Sequence, residues 1–316
     1  MRSLALLGLA AGDVLGAAVE GMDRSAVAPR LDGLPPPGTA WTDDTQQALL
    51  VARHLLEHSE VDGVALAVEL RGPDLPHRGI GPGFARFLDT GMPQPSAGNG
   101  AAMRSAPIGV RFGPERVVDE AIVAAMVTHA DPRGVAAAVA VAAAVAHAPG
   151  DVAGADLLAE IAEDVTDAEH RLFADHGLRF GAGDRWHTFS EALRAAIGEV
   201  DEPPAVVADR VGERAAPTSA ASETGGTHPY APASVVTALV LAAAATDPVE
   251  AVRAAVALGG DTDTVAAITG AVVGARFGVE SWPWEVPRAD LLVQIGERLV
   301  DGGGTEGLPD AAELIA

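Results

Sequence analysis

The sequence contains no cysteine and no lysine. The first absence excludes disulfides, thiolate metal sites and a cysteine nucleophile. The second leaves arginine as the only permanently charged base, and 21 basic against 44 acidic side chains give a formal net charge of −23. A field of that sign opposes nucleic acids and anionic membrane surfaces as partners. Aromatic residues are scarce at 4%, with a single tyrosine, so alanine dominates the 48% apolar content. Small side chains let helices approach closely, and the sequence predicts an all-α fold in which residues 1–316 make one domain. Long apolar runs are missing too: Val135 to Ala146 and Val235 to Ala245 fall short of the ~18 residues that a spanning helix needs. They predict buried core helices.

What is present is glycine at regular intervals. Gly8, Gly12 and Gly16 punctuate a helical pattern from Ser3 to about Val19, and their spacing puts them on one face, where another helix backbone can come close. Ser25 to Thr39 reads as loop. Thr42 predicts an N-cap for a helix running through Asp43 and Asp44 to about His58. Gly72 to Pro82 and Gly91 to Gly100 read as loops flanking a short segment, Phe84 to Leu88, and long loops of this kind wall pockets. Further helices are predicted over Pro114 to Val127, Pro132 to Ala146, Val152 to Val165, Thr188 to Val200, Pro232 to Thr246, Pro248 to Ala257, Asp263 to Arg276 and Ala289 to Val300. His170 to Trp186 reads as mixed, and Asp201 to Thr227 as an unstructured excursion within the domain. Trp282 and Trp284 are expected to pack across the C-terminal helix.

Two acidic clusters carry the chemistry: Thr42-Asp43-Asp44-Thr45 and Gly259-Gly260-Asp261-Thr262-Asp263-Thr264. Acidic side chains in a first helical turn are favoured by the helix dipole, so two independently capped helices explain the clusters as well as a meeting in space does. If they meet, with Glu20 alongside, five negative charges face one another and two divalent cations nearly balance them. Aspartate and threonine oxygens suit magnesium far better than zinc. The paired glycines before Asp261 permit the sharp turn that brings both aspartates inward. Gly98 to Ser105 reads as a loop whose backbone amides approach a phosphate, or equally as a plain turn. Arg104 reads as a diphosphate contact or as a salt bridge into the acidic scaffold. His129, behind an apolar helix, fits a hydrogen-bonded structural histidine as readily as a catalyst. Asp131-Pro132 predicts another N-cap with proline in the first turn. His170, His176 and His187 show no metal-ligand spacing.

Five blocks occur in one order: Gly12-Asp13-Val14-Leu15-Gly16 with Glu20, Thr42-Asp43-Asp44-Thr45, Gly98-Asn99-Gly100-Ala101-Ala102-Met103-Arg104, Thr128-His129, and Leu258 to Thr264. In these blocks the chain resembles the ADP-ribosylglycohydrolase family. The resemblance implies an all-α fold around two magnesium ions, with manganese as a possible substitute, held by Thr42, Asp43, Asp44, Asp261, Asp263 and Thr264. It gives catalytic roles to Glu20, Asp44, Asp261 and Asp263, Glu20 being ligand, gate or general base. Gly98, Asn99, Gly100, Met103, His129 and Tyr230 are then expected to line the ADP-ribose pocket, with Tyr230 in the loop Gly225-Gly226-Thr227-His228-Pro229. His77, Gly79, Gly81 and Gly83 fall where relatives have a glycine-rich turn, with Asp74 as an auxiliary acid.

The reaction implied is hydrolysis of the ribosyl C1″ linkage of an ADP-ribosylated protein, arginine-linked, or of a small-molecule ADP-ribose conjugate. Cleavage develops oxocarbenium character, so the site must fix the ribose hydroxyls and activate a water. A ring-opening route with an aspartate as acid and base is the alternative. Met1-Arg2 and the apolar run from Leu4 to Ala11 imitate a secretory signal. By the same resemblance, cleavage near Ala18 would remove the first core helix and strand Glu20 at a terminus, so a cytoplasmic protein is expected; it is also expected to be a monomer. Two other readings compete: a two-metal nucleotide phosphohydrolase, and a non-catalytic ADP-ribose-binding or structural relative.

Overall fold

The glycines of the first helix do bring a second backbone into contact, and its owner is the helix that carries the second acidic cluster. In the computed structural model, which describes residues 1–72, 74–150, 152–179, 188–215 and 227–316, the helix Ala5–Ala17 lies antiparallel against Thr262–Phe277. A Cβ at Gly8 would sit 2.1 Å from the Gly270 carbonyl oxygen, at Gly12 2.0 Å from that of Ala266, and at Gly16 2.3 Å from that of Thr262. Gly270 and Gly274 return the compliment against Gly8 and Leu4. The backbones therefore touch along more than two turns, and Thr262 Oγ1 donates to the Gly16 carbonyl at 2.8 Å.

Both helices are apolar on every side, which is the pattern of a helix with no solvent face. Residues Ala5 to Gly16 and Thr262 to Ala275 are all buried. Around this pair pack Asp43–Glu57, Ala231–Ala244, Pro248–Ala257 and Pro132–His147, the last flanked by Pro114–Met126 and Gly154–Ala174. Buried apolar residues from Leu4 to Ile315 form one connected core. Among the described residues there are seventeen α-helices, three 3-10 segments and no strand. No helix among them is long and apolar enough to cross a membrane.

Several boundaries differ from expectation. Within Asp201 to Thr227, read as unstructured, the chain forms the helix Pro204–Ala215: Pro204 stands in its first turn, where the missing N–H is no loss. The helix Gly154–Ala174 absorbs His170, because Leu157, Ile161, Val165, Ala168 and Leu172 continue one apolar stripe. Phe84 to Leu88 is the middle of the helix Pro82–Thr90, stopped by left-handed Gly91. Gly63–Leu70, Ala106–Arg111 and Ala311–Ile315 are helices too short to announce themselves by periodicity. Trp284, in ring contact with Trp282, donates its indole N–H to the Ala11 carbonyl at 3.0 Å and so reaches the N-terminal helix. Gly225, Gly226, His187 and the stretch 180–186 lie outside the described residues.

Candidate active site

The helix Asp43–Glu57 is anchored by a buried aspartate that belongs to neither acidic cluster. The Asp13 carboxylate, fully buried, accepts from the backbone N–H and hydroxyl of Thr42 at 3.0 and 2.9 Å, and from those of Thr45 at 3.1 and 2.6 Å. It satisfies first-turn donors that a helix leaves orphaned. Thr42 is the N-cap, as expected. Because its hydroxyl gives its proton to Asp13, the Thr42 oxygen keeps lone pairs for a cation.

The opposing cluster is shaped by Gly259 and Gly260. Both are left-handed, with φ of 74° and 76°, and a Cβ at either would strike backbone or Thr227. Gly21 N donates to the Gly260 carbonyl and Gly260 N to that of Met22, stitching this turn to the segment after Glu20. Glu20, Asp261 and Asp263 consequently offer carboxylate oxygens within 4.8 Å of one another. Thr264, also buried, donates its N–H to Asp263.

The two clusters meet. Burial and then the negative charges of Asp263, Asp13, Asp43 and Asp261 raise the Asp44 pKa well above the usual carboxylate range. Burial and Asp261 do the same to Asp263, while Asp43 is pushed to about 7 by burial and Asp13, and Asp261 to about 6, mainly by burial. Asp44 Oδ1 is buried and has no hydrogen-bond partner. An unpartnered buried carboxylate oxygen among mutually repelling neighbours is what a hard divalent cation would satisfy. The donor set of Thr42, Asp43, Asp44, Asp261, Asp263 and Thr264 fits magnesium, with Glu20 exposed at the rim.

Asn99 and His129 are both buried and hydrogen-bonded within the protein, His129 in the manner of a structural histidine. Asn99 is the sole asparagine of the chain, and its amide donates to Asp261 Oδ2 at 2.6 Å and to Ser234 Oγ at 3.0 Å. It orients a carboxylate. The amides of Gly98 and Asn99 bond Ser96 Oγ and the Pro229 carbonyl, so they are not available to a phosphate. Gly100 opens the short helix Gly100–Met103, and Met103 is buried behind it. Arg104 is neither a diphosphate contact nor a salt bridge: it is buried and bonds Gln47, the Gly100 carbonyl and Thr128. Gln47 in turn donates to Asp43 at 2.6 Å, and Thr128 Oγ1 meets His129 Nδ1 at 2.8 Å. One polar thread thus runs from Asp43 to His129, and no spacing rule reveals the whole of it because its members lie on three separate segments.

Burial, followed by the charge of Arg104, lowers the His129 pKa to about 3. The imidazole is therefore neutral where an unfolded histidine, near 6.5, would be charging. Its contribution to stability is complete above pH 6.5 and is lost as the pH falls from there towards 3. Urea titrations of the wild type and His129→Gln should show their stability difference shrinking by a few kcal/mol between pH 7 and about pH 4. A difference independent of pH would contradict a neutral buried ring.

Tyr230 lies beside Gly98 across an isolated bridge, and its hydroxyl accepts from Arg133 at 3.3 Å. Asp131 caps the helix Pro132–His147, as expected. Gly79, left-handed, abuts Asp43 and Thr42, whereas His77 bonds the Leu70 carbonyl and meets the Phe84 ring edge-on. Asp74 is also left-handed. A second cluster, His54, His58 and Glu69, has ligand-like proximity. It is not a metal centre: the Asp62 N–H donates to His54 Nε2 at 3.1 Å, so Nδ1 carries the proton and donates to Glu69 at 2.9 Å.

Known proteins share this architecture. An uncharacterized protein from Archaeoglobus fulgidus is 30% identical over 94% of both chains. ADP-ribosylhydrolase ARH3 of Bos taurus is 29% identical, covering 88% of this chain and 85% of its own, and the Mus musculus protein of the same name is 28% identical with 88% and 84% covered. The solved structure of an ADP-ribosylglycohydrolase-related protein complex superposes with a TM-score of 0.60 at 26% identity, covering 95% of this chain and 97% of that one. The family model described as ADP-ribosylglycohydrolase matches residues 4–309, a span that takes in both helices of the glycine-packed pair and every carboxylate of the acidic site, and the chain belongs to that family.

Proposed function

We propose that this protein is a magnesium-dependent hydrolase that cleaves the ribosyl C1″ linkage of ADP-ribosylated targets, foremost ADP-ribosyl-arginine on protein, and releases ADP-ribose. In this reading it works as a cytoplasmic monomer with two magnesium ions, manganese being able to replace them. The observation that carries the proposal is the convergence of Asp43, Asp44, Asp261 and Asp263 with Glu20 at two facing helix starts, with Asp44 Oδ1 buried and unpartnered. Held by Thr42, Asp43, Asp44, Asp261, Asp263 and Thr264, the ions would supply Lewis acidity towards the ribose hydroxyls and the attacking water.

The chain's own groups then divide the work. Asp44 and Asp263, buried among like charges, serve as fixed anionic ligands. Asn99 holds Asp261 in one rotamer. Glu20, exposed at the rim, is placed to take a proton from water entering from solvent. In this reading Gly98, Asn99, Gly100, Met103, His129 and Tyr230 would form the ADP-ribose side of the site; Gly98 is paired to Tyr230 by a backbone bridge.

The test is incubation with ADP-ribosyl-arginine and ADP-ribosyl-serine substrates, with magnesium and with chelator. Free ADP-ribose should appear only with magnesium, and faster from the arginine conjugate. Release from neither, with cleavage of a simple nucleotide phosphate instead, would move the protein to the two-metal phosphohydrolases.

A further inference from the structure

A cavity of about 380 Å³ opens well away from the acidic site. It lies where the N-terminal end of Pro204–Ala215, the C-terminal end of Ala231–Ala244 and the start of Pro248–Ala257 come together. Ten residues of helix, roughly 15 Å, separate this end of Pro248–Ala257 from the turn before Asp261. The floor is apolar, with Val207, Val240 and Leu241 buried beneath it. The rim is acidic: Asp201, Glu202, Asp247 and Glu250 line the cavity and no basic side chain does.

The four acids differ in how far they are already engaged. Glu202 is paired with Arg210 at 2.9 Å, and Asp247 Oδ1 caps the helix that follows by accepting from Val249 and Glu250 amides. The side chains of Asp201 and Glu250 have neither an ion pair nor a hydrogen bond among the described residues. The negative end of Ala231–Ala244 adds to the same potential. No three of these carboxylates approach one another closely enough to hold a metal ion among the described residues. They stand around an apolar hollow within the size range of small-molecule sites.

We propose that this cavity binds a small organic cation, an amidinium or ammonium group carried on an apolar body. The body fills the floor formed by Val207, Val240 and Leu241, and the charged head meets Asp201 and Glu250 at the rim. The proposal is independent of the hydrolytic function.

Benzamidine is a suitable probe, with uncharged benzamide and anionic benzoate as controls, titrated into ¹⁵N-labelled protein saturated with magnesium so that the acidic active site is neutralised. Benzamidine should give saturable shifts confined to residues 200–207 and 241–254, weakened by added salt. Benzamide should bind at least tenfold more weakly and benzoate not at all. The double variant Asp201→Asn with Glu250→Gln, on two exposed side chains, should lower benzamidine affinity by about tenfold. Ala254→Leu should fill the cavity and abolish binding; if that variant does not fold, the charge variant decides. Equal binding of benzamidine and benzamide, shifts centred on Glu20 and Asp261, or no saturable shift would each overturn the proposal.

Discussion

Asp44→Asn is expected to reduce ADP-ribose release on the order of 10³-fold while leaving the fold intact. Asp44 is buried, its Oδ1 has no partner, and Oδ2 meets only the Thr42 hydroxyl at 3.4 Å. An amide of the same shape therefore breaks no strong hydrogen bond and removes one charge from a crowd of repelling carboxylates. Without magnesium the variant should unfold at a temperature no lower than the wild type. With magnesium the wild type should be stabilised by ligand binding and the variant much less so. Asp261→Asn should behave alike, since Asn99 can donate to the new amide oxygen as it does to the carboxylate. Wild-type turnover together with an unchanged magnesium response in both variants would refute the two-metal assignment.

The second large effect is one of packing. Gly12→Ala adds a single methyl group 2.0 Å from the Ala266 carbonyl oxygen and 2.3 Å from its carbon, both main-chain atoms of a buried helix. No rotamer change relieves that contact, so the two helices must separate. Overpacking of a core costs about 1–3 kcal/mol when side chains can give, and a clash with backbone lies at or beyond the upper end. Chemical denaturation should show a loss of about 3 kcal/mol or more, or no soluble protein. Gly198→Ala and Gly33→Ala, where an added Cβ meets nothing within 4 Å, should change stability by no more than about 0.5 kcal/mol. Equal tolerance at Gly12 and Gly198 would mean that the close approach does not exist.

Much of this was legible before any coordinates. Helices with long apolar stripes or wholly apolar faces, such as Pro132–His147 and Thr262–Phe277, declare themselves through composition and spacing. Gly8, Gly12 and Gly16 declared a close backbone contact, though not its partner. Thr42 and Asp131 declared caps, because capping is local. Asp13 was visible only as a charge in an apolar helix; its task, tying Thr42 and Thr45, crosses 29 and 32 positions of sequence. Arg104 is opaque in the sequence for the same reason, since its partners Gln47 and Thr128 lie on other elements. The glycine-rich loop around Asn99 reads as a phosphate cradle or a plain turn; in the structure the Gly98 amide serves Ser96 of the same loop, the Asn99 amide serves Pro229 and the asparagine side chain serves Asp261. Local physics reaches as far as the next turn; convergence belongs to tertiary packing.

The contact between Ala5–Ala17 and Thr262–Phe277 also works as a ruler. Glycine recurs every fourth residue on the first helix, and Gly270 and Gly274 repeat that interval on the second, so the backbones could slide by one turn and still interlock for most of their length. Such a slip would carry Asp261 and Asp263 about 6 Å along the axis, away from Glu20 and Asp44. The bond from Thr262 Oγ1 to the Gly16 carbonyl, with the backbone bonds that join Gly21 and Met22 to Gly260, holds the observed register. The register of this one contact therefore sets the distance between the two halves of the acidic site, which sit on different helices.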